Sequence, residues 1–541
     1  MSDAAVANSS PQTPFRYRWW AFGDLNGFFG VMFDNMTVLA FLAFILTGIF
    51  GMPGDVVYTK IFPGTAFGVL VGDLVYTWLA FVQAKRQNKD VTAMPLGLDT
   101  PSTIGFAFTV LGPSFLIYSE SMSPDQAALQ AWYVGMAAMI YCGLFKFLCS
   151  FFGNWISRVV PQAGLMGSLA GVGIALLGLV PIIEIMNAPL IGLVAMGLIF
   201  YNMVAKIRLP FNMPGVLVAV VVGTILYYVC GPLGLAGLKF QTPTFSSSFG
   251  VPLPTLGFVQ GLADALNFLP VIIPFSILTV VGGINVTESA RLAGDTYDTR
   301  EVLMIDACST MFAGLCGGVA QTTAYIGQPA FKQMGCRAGY TVLTGLVVGL
   351  CGMAGIIQFI VDAIPTAALA PILCFVGLEI VSQAFACCPR AHFPAVAFAF
   401  LPNIARVLAI KGNYSEAGVY DTLLATLQAE PTRYLNEKLL IPALGNGFIL
   451  TAMLWGAFFA FLIDKKLRAS AIFLGLLSIF SLFGVVHSVD PNGFMYLPWN
   501  LPSPVAQAVP YQFALGYAVL AIIFLLLSFT KDSQMSVVEE E

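Results

Sequence analysis

Two stretches of this sequence decide its fold. Residues 94–108 read MPLGLDTPSTIGFAF, and residues 318–331 read GVAQTTAYIGQPAF. When the two are aligned on their Ile-Gly pairs, Asp99 falls opposite Gln321. Both lie in apolar surroundings, yet their proline, glycine, serine and threonine residues make each a poor continuous helix. Each is therefore predicted to be a membrane segment that is interrupted near its middle, with half-helices that start near Asp99 and near Gln321.

The composition around these stretches is that of a membrane protein. Of 541 residues, 58% are hydrophobic and only 10% are charged, and the mean hydropathy is +0.84. A soluble domain has roughly 25% charged residues, so lipid must cover much of this chain. The polar N-terminus carries Arg16 and Arg18 and lacks the features of a cleaved secretory signal. The first membrane helix is expected to direct insertion.

Sixteen segments are apolar enough to be membrane-spanning candidates, for which about 20 residues are needed. The first seven lie near 27–50, 57–84, 95–117, 129–152, 161–186, 187–205 and 212–230. The next seven lie near 266–290, 302–317, 318–335, 338–361, 366–386, 393–410 and 444–464. Two more come near 468–486 and 511–530.

The basic residues predict the orientation. With the N-terminus inside, 16 Lys and Arg residues fall on the inner side and 5 on the outer side, with 3 left within segments. This bias follows the positive-inside rule. We therefore predict a multi-pass protein of the bacterial inner membrane with both termini cytoplasmic.

The positions of the interrupted segments predict an inverted repeat. They are third in each group of seven, and an odd repeat length makes the two halves run in opposite senses. Paired interruptions of this kind are the best sequence pointer to a transporter's binding site, although kinks that merely pack remain an alternative. The predicted fold is an all-α polytopic 7+7 inverted repeat with two extra C-terminal transmembrane helices. The predicted units are 1–26, 27–230, an outer linker at 231–265, 266–464 with an outer insertion at 411–443 that holds a surface helix, 465–530, and an acidic tail at 531–541.

Several motifs resemble those of one transporter family. Residues 306–326 read DACSTMFAGLCGGVAQTTAYI and residues 337–341 read RAGYT, while Leu401-Pro402-Asn403 and Asn446-Gly447 add later matches. These resemble the nucleobase–cation symporter-2 family of xanthine, uracil and ascorbate permeases, nearest its hypoxanthine–guanine branch. The resemblance implies a core domain of segments 1–4 and 8–11, a gate domain of segments 5–7 and 12–14, and a homodimer. It places the substrate between segments 1, 3, 8 and 10.

The chain departs from that family at the base-reading positions. Residues 276–284 of segment 8 contain no acid, and Gly327 stands where the purine branch has a glutamate. Binding of uracil or xanthine in the family's usual mode would therefore lack both of its carboxylates.

The polar residues of the broken segments and their neighbours are the candidate site, because polar groups at membrane depth are functional by default. The predicted substrate-binding residues are Asp99, Thr100, Gln321, Thr322, Gln328, Asn285, Thr279, Asn35, Tyr325 and Phe33. The predicted ion-coupling residues are Asp99, Asp34 and Glu288. Interhelical packing is the alternative role for these polar residues. Structural or core–gate contacts are expected for Asp73, Glu184, Asp306 and Glu379, and a solvated face for Asp295, Asp298 and Arg300.

These features favour a secondary active transporter of a small polar, nucleobase-like solute, coupled to H⁺ or Na⁺, with the core moving against the gate. An anion transporter or exchanger of the sulfate-permease type is the alternative. The missing carboxylates and the two half-helix N-termini favour this alternative. The stretch of only about ten residues after segment 16 counts against it, because no regulatory domain is expected there. The sequence alone does not distinguish a channel from a carrier. The sequence shows no metal-ligand spacing or nucleophile motif, so no cofactor, no enzymatic activity and no nucleic-acid partner are expected.

Overall fold

The structure is a computed structural model. It describes residues 16–152, 159–207, 209–210, 215–235, 240, 249–325, 327–412, 437–490, 493–501 and 504–530. The N-terminal and C-terminal predictions for 1–15 and 531–541 lie outside these ranges, as does most of the outer insertion predicted at 411–443.

The first half contains seven helical segments and one short strand. The helices are α1 (Gly23–Ile49), α2 (Gly54–Gln87), α3 (Thr100–Ser119), α4 (Pro124–Ser150), α5 (Gln162–Asn187), α6 (Pro189–Val204) and α7 (Gly215–Cys230). Strand β1 (Leu96–Leu98) lies between α2 and α3. The predicted third segment is thus a strand followed by a helix, because Pro95 and Gly97 disfavour a helix before Asp99.

The second half repeats this order. Its elements are α8 (Phe258–Arg291), α9 (Thr299–Leu315), β2 (Thr322–Ala324), α10 (Gln328–Gln333), α11 (Gly339–Met353), α12 (Thr366–Cys387), α13 (Arg390–Lys411) and a broken α14 (Glu437–Gly445 and Phe448–Ile463). A short helix, Ile356–Ala363, joins α11 to α12. Two further helices come after α14, namely α15 (Leu467–Leu482) and α16 (Pro504–Leu527).

The lengths and compositions of these helices agree with a protein that crosses the membrane many times. Within the described ranges, nine helices are long and apolar enough to span, or ten if the two pieces of α14 count as one. Four shorter apolar helices, α6, α7, α11 and α15, accompany them. The chain is a multi-pass integral membrane protein.

The helices pack as two domains drawn from both halves. In the core domain α2 packs along α9 and α11, and α4 packs along α9; in the gate domain α5 packs on α12 and α14, and α6 on α7 and α12. Small residues allow close approach, as at Gly68, where a Cβ would stand 2.4 Å from the Cβ of Ala313. Helices α15 and α16 pack on each other, and α15 on α14. The predicted 7+7 inverted repeat with two extra helices is confirmed.

Two predicted segments are divided. Segment 11 ends at Met353, and Gly355 takes a positive φ of +73° before the next short helix. Segment 14 bends by 77° between Gly445 and Phe448, where Gly447 takes a φ of +67°. Both turns use the left-handed conformation that glycine adopts at little cost. The bend in α14 leaves a second helix N-terminus inside the protein.

Candidate functional site

The two interrupted segments meet in a two-stranded antiparallel ladder. Leu96 pairs with Ala324, Gly97 with Thr323 and Leu98 with Thr322. Beyond the strands, the Asp99 amide donates to the Gln321 carbonyl at 2.9 Å and the Tyr325 amide donates to the Pro95 carbonyl at 2.8 Å. We call this region, residues 95–99 and 321–325, the crossing. Strand backbone at membrane depth is tolerated here because the two strands satisfy each other and protein surrounds them.

Buried polar side chains hold the outer edges of both strands. On β1, the Leu96 amide donates to Asp73 Oδ1 at 3.1 Å and the Leu98 amide donates to Asn35 Oδ1 at 2.8 Å. Asn35 Nδ2 in turn donates to the Val31 carbonyl at 2.9 Å. Asn35 thus braces β1 through Oδ1 and is anchored to its own helix through Nδ2, which fits the packing alternative better than a direct substrate contact.

On β2, a single carboxylate makes several contacts. Asp306 accepts from the Ala324 amide at 3.1 Å, from the Thr323 hydroxyl at 3.2 Å and from the Tyr76 hydroxyl at 2.5 Å. Asp306 is fully buried. Asp73 and Asp306 thus have the structural roles that the sequence predicts for them.

Asp99 caps helix α3 at the point where β1 ends. Its Oδ2 accepts from the Ser102 amide at 2.9 Å, as an N-cap carboxylate does. Pro101 has no N–H, so the first turn of α3 offers the amides of Thr100 and Ser102, and the second already donates to Asp99. A ligand that needs this helix end must therefore compete with the Asp99 carboxylate.

A second acid lies near Asp99. Asp34 on α1 is close enough for the two carboxylates to repel each other, and it also interacts electrostatically with Tyr325. Asp34 Oδ2 is buried and accepts no hydrogen bond from the described residues. A buried carboxylate oxygen without a donor is costly unless the group is protonated or binds a cation.

Gln321 and Thr279 bring neutral donors to the same region. Thr279 Oγ1 on α8 lies 3.2 Å from Gln321 Oε1 and donates to it or to carbonyls of its own helix. Gln321 is fully buried, and its Nε2 finds no acceptor in the described part of the chain. The hydroxyl of Thr103, in the first turn of α3, is also buried and unpartnered there. Buried polar atoms of this kind are rare and call for an explanation such as an absent ligand.

Lys146 is a buried charge that the sequence-based predictions did not include. It lies on α4, is fully buried, and its Nζ donates to the Thr322 carbonyl at 2.8 Å and to the Thr310 hydroxyl at 3.2 Å. Asp99 and Asp306 interact with it electrostatically, but no described carboxylate lies within ion-pair distance. The Thr310 hydroxyl also contacts the Thr322 hydroxyl at 3.2 Å. A lone lysine inside an apolar helix was the signal that could have found this group.

The structure does not bring Gln328 to the crossing. Its Nε2 donates to Asp295 Oδ2 at 2.9 Å and to the Thr92 carbonyl at 3.3 Å. The prediction of a solvated Asp295 is also wrong, because this carboxylate is fully buried and pairs with Lys332 at 2.6 Å. Asp298, by contrast, is exposed and caps α9 through the Arg300 amide.

The second half-helix does not begin near Gln321 as the sequence predicted. Gln321 precedes β2, and α10 begins at Gln328 and contains six residues. Between Gln321 and α10, the β-branched Thr322 and Thr323 favour an extended backbone. Lys146 and Asp306 hold these two residues in place. The remaining predicted residues are Thr100, which is buried at the start of α3, and Tyr325, which packs on Phe331 with ring centroids 6.1 Å apart. The side chains of Phe33, Asn285 and Glu288 lie outside the described set.

The crossing therefore combines a helix N-terminus, a buried cation and neutral donors with two acids. Such donors suit a small anion, because amides, hydroxyls and a lysine ammonium all donate to it. Among the described residues, no group of three or more His, Cys, Asp or Glu side chains has the arrangement of a metal site.

The sequence profile of the Sulfate permease family matches residues 180–389. This match takes in less than half of the chain, and no curated protein sequence matches. Among solved structures, the transmembrane domain of a cyanobacterium bicarbonate transporter, BicA, is similar with a TM-score of 0.50 at 18% identity, covering 72% of this chain and 98% of that one. SLC26A9 is similar with a TM-score of 0.50 at 13% identity, covering 71% of this chain and 62% of that one.

A further structure, the murine Solute Carrier 26 family member A9 anion transporter in the inward-facing state, gives a TM-score of 0.50 at 13% identity. It covers 77% of this chain and 70% of that one. At identities this low the likeness shows the fold alone, which this chain shares with these membrane proteins.

The family resemblance drawn from the sequence is wrong. The profile that matches is that of the sulfate permeases, and its range includes residues 306–326 and 337–341, on which the nucleobase–cation symporter-2 resemblance rested. The finding favours the alternative drawn from the sequence, an anion transporter or exchanger of the sulfate-permease type on the same inverted-repeat fold. The absence of base-reading acids at Ser276–Ile284 and at Gly327 is then expected.

Proposed function

We propose that this protein is a transporter of a small inorganic anion, and that the anion binds at the crossing. The observation that carries the proposal is Lys146, a fully buried lysine whose Nζ binds the Thr322 carbonyl and has no described carboxylate at ion-pair distance. A buried ammonium needs a compensating negative charge. The match to sulfate permeases over 180–389 supports the same substrate class.

The donors of the site would be the start of α3, Thr103 and Gln321. Gln321 Nε2 and Thr103 Oγ1 have no described acceptor, and an anion supplies acceptors for both. Thr100 contributes the first amide of α3, where the helix dipole favours negative charge. Thr279 orients Gln321 through its contact with Oε1, and Thr322 holds Lys146 through its carbonyl. Asn35 and Tyr325 shape the wall of the site.

Asp99 and Asp34 give the proposal a coupling mechanism. With both carboxylates ionised, an incoming anion meets two negative charges and a Ser102 amide that Asp99 already occupies. Protonation of Asp99 removes a charge and turns its carboxyl group into a donor for the anion. A Na⁺ ion at the pair would also remove the repulsion. Anion binding and cation uptake are therefore linked, and the linkage is reciprocal.

Alternating access would follow from motion of the core domain, which carries the crossing, against the gate domain. The proposed protein is a homodimer in the bacterial inner membrane, with both termini cytoplasmic. Its proposed units are the two repeats at 27–230 and 266–464, the outer linker at 231–265 and the extra helices at 465–530. The biased distribution of basic residues supports that orientation.

The test is uptake by the purified protein in proteoliposomes. Labelled chloride, nitrate, bicarbonate and sulfate are compared with uracil and xanthine, under an imposed pH or Na⁺ gradient. We expect at least one inorganic anion to accumulate and neither base to do so. Asp99→Asn should lose accumulation against a gradient while downhill exchange remains.

The matched control is Asp125→Asn, because Asp125 is an exposed acid in the first turn of α4. It should accumulate the anion as the wild type does. Uptake of a base without any anion, or an Asp99→Asn protein with wild-type accumulation and pH and Na⁺ dependence, would contradict the proposal.

A further inference from the structure

The bend in α14 exposes a second helix N-terminus at the boundary between the two domains. The second piece of α14, Phe448–Ile463, has 16 residues, and its N-cap, Gly447, offers no side chain to the first amides. The helix dipole places positive potential at this end. Asn446, inside the bend, is held in place because its Nδ2 donates to the carbonyls of Ser488 at 2.9 Å and Asp490 at 3.1 Å.

A guanidinium lies beside this helix end. Arg406 on α13 donates from Nη1 to Asn446 Oδ1 at 3.2 Å. Its Nε is buried and has no partner in the described structure, and no described carboxylate pairs with it. A guanidinium has five N–H donors, and the buried Nε donor of Arg406 is unused. A buried donor without an acceptor is costly, and an anion would supply both the acceptor and a charge opposite to that of the guanidinium.

Arg406 and the helix end line one small cavity of about 20 Å³. That volume is close to what a single water molecule needs. The other walls come from α3 and α8, with Gly493 of the α15–α16 connection, so the cavity has core residues on one side and gate residues on the other. The lining residues that matter are Thr109, Asn267, Arg406, Asn446 and Phe448.

We infer that this cavity is a second anion site, through which the transported anion passes between the crossing and the membrane face opposite the N-terminus. The inference rests on the proposed function for the identity of the anion. Helix α3 leads from Asp99 to Thr109, a separation of about 15 Å along its axis. Movement of the core away from the gate enlarges the cavity, and the Arg406 fork and the amides at Phe448 then hold the anion.

Two variants separate this role from a structural one. Arg406→Gln removes the charge but keeps a donor for Asn446, and Arg406→Lys keeps the charge but loses the fork. Lys411→Gln is the matched control, because Lys411 is an exposed cation at the end of the same helix. Uptake and efflux of the anion that the proteoliposomes accumulate best are measured with right-side-out and inside-out molecules separately.

For Arg406→Gln we expect KM on the face opposite the N-terminus to rise about tenfold, as the loss of one charged hydrogen bond predicts. KM on the other face should change little, Arg406→Lys should be intermediate, and Lys411→Gln should match the wild type. An unchanged KM, or an equal rise on both faces, would overturn the inference.

Anion binding in detergent gives a readout without transport. The midpoint of thermal unfolding is compared in chloride, nitrate, bicarbonate and sulfate against gluconate at equal ionic strength. We expect stabilisation by at least one of these anions, reduced in Arg406→Gln but not in Lys411→Gln. If no anion is transported yet this Arg406-dependent stabilisation is present, the proposed function fails and the site stands. Full stabilisation of Arg406→Gln, or none in the wild type, rejects the site.

Discussion

The two broken segments form one ladder, but the helices that come after their strands differ. Strand β1 leads through Asp99 directly into the 20-residue α3, so an acid stands at a helix N-terminus. Strand β2 is preceded by the neutral Gln321 and is separated by a gap from the six-residue α10. Its nearest cation is Lys146, which comes from another helix.

This difference shows how an inverted repeat can give an asymmetric site. The backbone pairing is shared by both halves, since each strand donates an amide to a buried aspartate of the helix before it, Asp73 or Asp306. The charged side chains at the crossing, by contrast, do not repeat between the two halves. The first half contributes the acids that would control coupling. It also contributes Lys146, whose Nζ donates to the Thr322 carbonyl in the strand of the second half.

Removal of Lys146 should have the largest effect on transport. In Lys146→Met the β2 side loses its cation, and we expect anion uptake to fall about 100-fold, which corresponds to about 2.7 kcal/mol. Lys85→Met, which removes an exposed lysine at the end of α2, is the control. The measurement is initial uptake in proteoliposomes, together with gel filtration to establish folding. A folded Lys146→Met protein with wild-type uptake would refute the cation's role.

The two bracing aspartates should differ in their effect on stability. Asp306 accepts three hydrogen bonds, whereas Asp73 accepts one from Leu96, and its Oδ2 has no described donor. We expect Asp306→Ala to cost about 3 kcal/mol or more and Asp73→Ala about 1–3 kcal/mol. Thermal unfolding of the variants in detergent ranks these losses of stability. Tyr76→Phe, which removes one of the three bonds, should cost less than Asp306→Ala. A larger cost for Asp73→Ala than for Asp306→Ala would show that Asp73 does more than brace β1.

The sequence predicted where the two segments are interrupted, because each interruption is a local pattern, but it did not predict that the interrupted parts pair as strands. The Ile-Gly alignment placed Asp99 opposite Gln321, and the structure joins their backbones by a hydrogen bond of 2.9 Å. Lys146 could not be placed in the same way, since the carbonyl it binds is 176 residues away in the chain. Gln328 was assigned to the site because a helix was expected from Gln321 onward, whereas paired threonines extend the backbone past that point.

Two other features were present in the sequence but were not used to predict a helix break or a cavity. Gly445-Asn446-Gly447 marks the break in α14, and Arg406 within an apolar segment marks the cavity beside it. The family itself was misjudged because loose motifs of the broken segments were given more weight than the missing base-reading acids. Side-chain partners across helices depend on packing, which a single sequence does not contain.

Gln321→Glu tests the neutrality of the second broken segment. It places a carboxylate opposite Asp99, and we expect anion affinity to fall about tenfold, since a repulsion of about 1.4 kcal/mol gives that factor. Gln321→Met separates the added charge from the lost donor and should have the smaller effect. The measurement is KM for uptake at several pH values. An affinity unchanged by Gln321→Glu at every pH would place the anion away from Gln321.

Thr279→Ala should have the smallest effect, because its hydroxyl reaches the site only through Gln321. Thr279 Oγ1 lies 3.2 Å from Gln321 Oε1, and this contact fixes which way the carboxamide turns and hence where Nε2 points. Loss of one neutral hydrogen bond is worth about 0.5–1.5 kcal/mol, so we expect KM to rise about threefold with little change in kcat. Ser276→Ala is the matched control, since its hydroxyl donates to the Ile272 carbonyl of its own helix and does not contact Gln321. Equal changes in the two variants would mean that α8 packing, and not the orientation of Gln321, sets the affinity.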